Sequence, residues 1–333
     1  MKIICIYHSR DLDGWMSSAI VKKWFEENHD DPIVYSHPYK GDHTIKDGIP
    51  DSQDGLSMLG WDYGGEIPDL SGYDKVIMVD VAFPSDVMIK LRNSPGHFMW
   101  IDHHKSAIIE SVQKNYQGMS GTRNDKFAAC ELTWQYLFPG EKMPEIVRLL
   151  GRYDCFGYKG TDEEQEVLEF QYGARAYMSN YEDCYTYLQQ DIEYNIDTPS
   201  NIVLDISSAG KFIYKYLCTE ARQTYKKAFP VKFSEKVFDT NAPYPNTFRP
   251  RKFLCVNQER FNPVNFGIDY HKDGYDGFAC FWLKEGKWHW SLYNDNGKVD
   301  CSVIAKQYGG GGHFGASGFV CNTETLMKII LSQ

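Results

Sequence analysis

Short apolar runs recur along the first third of the chain, each followed by a polar break and a stretch of helical periodicity. Residues 2–7 (KIICIY), 33–36, 75–80 and 97–102 read as short buried strands. Residues 14–27 place Trp15, Met16, Ala19, Ile20 and Trp24 on one helical face, with Lys22, Lys23, Glu26 and Glu27 largely elsewhere. Pro84 and Ser85 open a further helix that carries Val87, Met88 and Leu91. This alternation predicts βαβ units, hence a parallel sheet wrapped by helices.

The texture then changes twice. Helical patterns dominate from about residue 127 to 228: Phe127 to Phe138, Glu145 to Arg152, a segment opened by Thr161 with Glu164 three residues on as a capping box, and a long one from Ser208 to Phe229, stopped by Pro230. Beyond Pro230, the runs VKFSEKVF, KFLCV, GFACFWLK and KWHWSLY read as strands, the last two forming a hairpin around Glu285 and Gly286. A short helix, Ser302 to Tyr308, runs into four glycines. The expected organisation is a domain over residues 1–200, a connecting helix over 201–230 and a smaller mixed-sheet α/β domain over 231–333.

Composition narrows the class. With 42% hydrophobic and 24% charged residues the 333-residue chain is an ordinary globular sequence with a high aromatic share, 15%. No apolar run reaches a membrane span, and "MKIICIYHSRD" turns polar too early for a signal peptide, so the expectation is a soluble, cytoplasmic protein. Nine scattered cysteines without a C-x-x-C pair read as reduced packing residues. The formal net charge of -10 opposes a protein that tracks long nucleic acid, which needs a basic stripe; no stable complex with long strands is expected.

Chemistry is concentrated where three of the strands end. His8, Asp11 and Asp13 follow the first; Asp80 closes another; Asp102, His103 and His104 close a third. In parallel α/β sheets, ligands collect beyond the carboxyl ends of the strands, so these polar ends would converge on one crevice. Carboxylates crowded there repel unless cations neutralise them. An imidazole and carboxylate set without thiolate suits two divalent ions such as manganese, with iron, cobalt and zinc also chemically possible. One carboxylate can bridge such a pair, the arrangement that clamps a phosphoryl group and activates water.

"HSRDLDG", "MVDVAF", "IDHHKSA" and "GRYDCFGY" resemble, in order, the four motifs of the DHH phosphoesterase superfamily, and "GGGGHFGASGF" at residues 309–319 resembles the glycine-rich signature of the C-terminal domain that accompanies it. The resemblance covers nearly the whole chain. It implies an N-terminal DHH lobe holding a manganese centre, a helical connector and a substrate-binding C-terminal lobe, with the active site in the cleft between the lobes. Carried over by position, His8, Asp11 and Asp80 would hold one ion and Asp13, His103 and Asp154 the other, Asp80 bridging. Asp102 would orient a ligand histidine by hydrogen bond, and His104 would reach the scissile phosphate or its leaving oxygen. Gly310, Gly311, Gly312 and His313 would bind the far end of the substrate. Lys105, Arg123 and Arg152 are cations near the motifs that either neutralise phosphate or form surface salt bridges.

Within the superfamily, the H-x-x-D-L-D-G opening and the overall size look most like the nanoRNase branch, whose substrates are oligoribonucleotides a few residues long. The expected activity is therefore manganese-dependent hydrolysis of short oligonucleotides to mononucleotides, on no membrane. Cyclic dinucleotides, 3'-phosphoadenosine 5'-phosphate, single-stranded DNA and polyphosphate are the alternatives.

Overall fold

The computed structural model describes residues 1–37, 55–93, 97–194, 201–238, 246–312 and 314–331. The chain divides into two compact units, Met1–Ile213 and Tyr214–Gln333.

The first unit opens with β1 (Lys2–His8), α1 (Leu12–Asn28), β2 (Val34–His37), β3 (Gly55–Trp61), β4 (Lys75–Val79), α2 (Ser85–Asn93) and β5 (His97–Ile101). The five strands form one parallel sheet in the order β2-β3-β1-β4-β5. β3 and β4 flank β1, so the chain crosses from one side of β1 to the other and the polar residues following all three strands gather at one edge. β3 has no counterpart in the sequence reading. Its seven residues, GLSMLGW, are all buried, although they include two glycines and a serine and show no alternation. Pairing with β2 on one side and β1 on the other takes up both of its edges, both faces are buried as well, and this packing overrides a weak strand propensity.

α1 departs from the amphipathic reading as well. Met16, Ser17, Ser18, Ala19, Ile20, Val21, Lys23 and Phe25 are all buried, so the helix is enclosed nearly all round. Lys23 is inside because its ammonium reaches the Glu27 carboxylate and lies 5.6 Å over the Phe138 ring.

Helices follow: α3 (Lys105–Gln113), α4 (Ala129–Leu137), α5 (Glu145–Asp154), α6 (Glu164–Tyr177), α7 (Tyr181–Tyr194) and α8 (Asn201–Tyr225). Thr161 does not cap α6: its hydroxyl donates to the Tyr158 carbonyl at 2.7 Å, while the Glu164 carboxylate accepts from the Gly160 N–H at 2.8 Å. The long helix begins at Asn201 and ends at Tyr225, earlier at both ends than its apolar pattern suggested, and Phe229 already belongs to the next strand.

The second unit holds β6 (Phe229–Phe238), β7 (Asn246–Asn257), a 3-10 turn at Pro263–Phe266, β8 (Gly277–Lys284), β9 (Lys287–Tyr293), α9 (Cys301–Gln307), β10 (Gly311–Gly312), β11 (Ala316–Cys321) and α10 (Thr323–Leu331). The sheet runs β10-β11-β9-β8-β7-β6 and is mixed, because β7 and β8 are parallel while the other pairs are antiparallel. The β8–β9 hairpin turns at Glu285 and Gly286, whose φ angles of 51° and 74° are both left-handed, as a tight two-residue turn of this twist requires. Phe233, Phe253, Phe281, Trp290 and Phe319 form the core on the face covered by α9 and α10. All nine cysteines are free thiols and six of them are buried. Among the described residues, no helix is long and apolar enough to cross a membrane.

Candidate metal centre

The turn from β1 into α1 sets the first group of ligands. Asp11 caps α1, one oxygen accepting from the Gly14 N–H at 3.0 Å while the other lies 2.8 Å from His8 Nδ1. The helix starts so close to the strand that a Cβ on Gly14 would sit 2.1 Å from the His8 carbonyl oxygen. Glycine is therefore the residue that lets Asp11 and Asp13 fold back toward the end of β1.

Asp13 points the other way. Its two oxygens accept the N–H groups of Ala129 and Cys130 at 2.9 and 2.8 Å, so the carboxylate sits on the positive end of α4. Its Oδ2 also approaches His103 Nε2 at 3.6 Å. Asp154, in the last turn of α5, reaches the same imidazole nitrogen at 3.3 Å.

Asp80 follows β4 with φ of 59°, a left-handed conformation uncommon outside glycine, asparagine and aspartate. Its backbone N–H donates to the Ile101 carbonyl, which fixes this strained residue beside β5. One carboxylate oxygen lies 3.5 Å from His8 Nδ1 and the other 3.3 Å from His103 Nε2. Two clusters result, His8 with Asp11 and Asp80, and Asp13 with His103 and Asp154, the candidate ligand atoms of each lying within 4.8 Å of one another. Asp80 faces both.

Asp102 is fully buried and fully engaged. Its Oδ1 accepts from the backbone N–H groups of His103 and His104 and pairs with His104 Nδ1 at 2.8 Å, while Oδ2 accepts from the Trp100 indole at 3.2 Å. The ring it holds is His104, the residue the resemblance aims at the phosphate, and His103 is fixed through its backbone. His104 Nδ1 stands 3.8 Å from Asp80 Oδ1, and Asp80, His103 and His104 make a further cluster.

The electrostatics follow from the crowding of acids and imidazoles in a small, largely buried space. Burial, and then the negative charges of Asp80 and Asp154, push the Asp13 carboxyl well above the usual range. Burial likewise raises Asp154 to about 7, against the lowering effect of His103. Desolvation lowers the His8 and His103 imidazoles, but the carboxylates around them win and raise both to about 11. Asp80 moves down, because hydrogen bonding and charge from the histidines outweigh its burial. His8 Nδ1 and Asp80 Oδ1 are nevertheless sealed from solvent without a hydrogen bond of good geometry. Imidazole nitrogens and carboxylate oxygens facing one another across 3.3–3.6 Å, with these two atoms buried and unpaired among them, fit divalent cations, and the oxygen and imidazole donor set fits hard or borderline ions.

Sequence reasoning passed over Asp62. It follows the missed strand β3, lies 3.5 Å from His8 Nε2, and is ion-paired with Arg10. The signal was an aspartate closing an apolar run, as at Asp80 and Asp102, but the run itself was too glycine-rich to register as a strand. Tyr63, beside it, packs its ring 6.1 Å from His8 and 6.0 Å from His104 and walls the site.

The flanking cations have structural partners. Arg123 donates to the backbone carbonyls of Trp100, Ser120, Gln117 and Met119, pinning the segment after α3 to β5. Arg152 pairs with Glu163 at 3.1 Å and Lys105 with Asp125 at 3.6 Å.

In the second unit, Gly310 and Gly312 are demanded by the fold itself. A Cβ on Gly310 would meet the Gly318 carbonyl oxygen at 2.1 Å, and Gly312 has φ of 137° beside Ser317. Gly311 has open space around it. His313 lies outside the described residues.

Residues 2–150 match the family model described as DHH family, N-terminal domain. Over that segment the chain is similar to the DHH family, whose members are metal-dependent phosphoesterases. In sequence, the chain is 24% identical over 330 residues to uncharacterized protein R106 of Acanthamoeba polyphaga mimivirus, an alignment covering 95% of this chain and 66% of the relative. The chain thus spans about two thirds of the length of that curated relative. Similar solved structures include a pGpG-specific phosphodiesterase from Vibrio cholerae, with 11% identity, coverage of 98% of this chain and 96% of that one, and a TM-score of 0.47. An exopolyphosphatase-related protein from Bacteroides fragilis matches with 16% identity, coverage of 99% and 90%, and a TM-score of 0.44.

Proposed function

We propose that the chain is a manganese-dependent phosphodiesterase that shortens oligonucleotides a few residues long to mononucleotides. The observation that carries the reading is Asp80, whose two carboxylate oxygens face His8 and His103 and so join two ligand sets. His8, Asp11 and Asp80 would hold one cation, and Asp13, His103 and Asp154 the other. A pair of divalent ions there supplies positive charge for the phosphoryl oxygens and acidifies water.

The chain's own groups divide the remaining work. Asp102 fixes the His104 ring through Nδ1, leaving Nε2 as the atom that meets the phosphate or gives a proton to the departing oxygen. Asp13 draws its orientation from the first two N–H groups of α4, and Asp62 backs the far nitrogen of His8. Gly310, Gly311, Gly312 and His313 are the residues we assign to the far end of the substrate; of these, Gly311 has the room for a ligand to approach its backbone.

A substrate panel tests the reading: RNA of two to five residues, long single-stranded DNA, a cyclic dinucleotide, 3'-phosphoadenosine 5'-phosphate and polyphosphate, each with manganese. Highest kcat/KM on the short RNA is expected. Preference for any other member reassigns the substrate, and no turnover of any of them overturns the phosphodiesterase reading.

A further inference from the structure

The overall charge of the chain hides one basic surface. β6 and β7 carry Lys232, Lys236, Arg249, Arg251 and Lys252 against a single acid, Glu235, in a protein whose formal net charge is -10. The register sorts these residues by face. Val231, Phe233 and Glu235 point to the buried side, and Arg251 is taken up there by Glu235 at 2.6 Å. The opposite face holds Lys232 directly across from Lys252, Ser234 across from Pro250, and Lys236 across from Phe248, all exposed. None of the three lysines makes a side-chain ion pair among the described residues. Phe248 is 62% exposed, an aromatic ring directly across the ladder from Lys236.

Pairing with β8 begins at Phe253, so residues 246–252 and their partners on β6 run past the end of β8 as a two-stranded ribbon. Lysines on an edge strand commonly guard against edge-to-edge pairing. That accounts for a lysine on either strand of the ribbon, but not for two of them, Lys232 and Lys252, placed directly across from one another. Two lysines facing one another across a ladder repel, a cost that protection of the edge does not require and that an incoming anion relieves.

We infer that this face of the β6–β7 ribbon binds single-stranded nucleic acid, with Lys232, Lys236 and Lys252 contacting phosphates and Phe248 stacking on a base. It goes beyond the catalytic reading and does not depend on it, because none of these residues belongs to the candidate metal centre. The net charge of -10 is a sum over the chain, and the ribbon supplies a local basic stripe within it.

Binding is measured with the intact chain, in EDTA so that no turnover occurs, by fluorescence anisotropy of a labelled 12-residue single-stranded RNA across a salt series. The variant K232Q/K236Q/K252Q replaces three exposed side chains, and its circular dichroism should match the parent. Its affinity should fall at least tenfold, and the slope of log Kd against log salt should shrink by about 2, the value for three phosphate contacts on a single strand. F248A should weaken binding several-fold and leave the slope unchanged. Both variants should hydrolyse a dinucleotide as the parent does, so failure of the phosphodiesterase reading would show in the parent's turnover and leave this measurement standing. Parental binding by the triple variant, or no RNA binding by the parent at low salt, overturns the proposal. So does ribbon-dependent binding to phosphatidylserine vesicles in place of RNA.

Discussion

Asp102 Oδ1 stands 2.8 Å from His104 Nδ1 and also accepts the backbone N–H groups of His103 and His104, so one buried oxygen sets both consecutive histidines. Replacing it with asparagine exchanges an anionic acceptor for a neutral amide and removes what holds His104 in one tautomer. D102N should lower kcat by about 10- to 100-fold with little change in KM, the usual cost of losing a carboxylate behind a functional histidine. Steady-state kinetics on a short RNA check this, and a pure KM effect would place His104 in substrate binding.

Asp62 backs His8 at Nε2 while Nδ1 faces Asp11 and Asp80. D62N should weaken one of the two cation sites by about tenfold and spare the other, because only the His8 set loses its support. Manganese titration by electron paramagnetic resonance resolves the two affinities. Equal parental affinities in D62N would reduce Asp62 to a partner of Arg10.

Cation binding should release protons. His8 and His103, raised to about 11, are protonated near neutrality in the metal-free protein, and Asp154, raised to about 7, is about half protonated there. A cation needs neutral imidazole and ionised carboxylate, so the free protein holds more protons than the loaded one and affinity must rise with pH. Calorimetric titration with manganese between pH 6 and 8, in buffers of different ionisation enthalpy, measures the protons released. Heats independent of the buffer would contradict the assignment.

Gly14 is a steric requirement of the site. G14A puts a methyl 2.1 Å from the His8 carbonyl oxygen, so α1 must retreat from β1. The cost should be about 1–3 kcal/mol of stability. Displacement of Asp11 and Asp13 should weaken cation binding as well, and thermal unfolding with and without manganese separates the two effects.

What could be read from the sequence followed from local pattern. The βαβ order, the β8–β9 turn at Glu285 and Gly286, and the polar endings at His8, Asp80 and Asp102 all have short-range signals: buried runs, turn residues, a carboxylate after a strand. β3 and Asp62 escaped because GLSMLGW owes its strand state to neighbours on both sides, and such burial leaves no alternation to read. Lys23 looked solvent-facing because periodicity cannot show the Phe138 ring that covers it. Asp154 had only the family resemblance behind it. It closes an ordinary helix, and nothing within ten residues signals that His103 lies 3.3 Å away.

The most direct test is the number of manganese ions bound per chain, measured by equilibrium dialysis on the parent and on D80N. Asparagine tolerates the φ of 59° at this position, so the variant keeps the turn while losing the carboxylate that faces both histidines. The account predicts two ions for the parent and weakened binding at both sites in D80N. A parent that binds no ion, or a D80N variant that binds two as tightly as the parent, would contradict it.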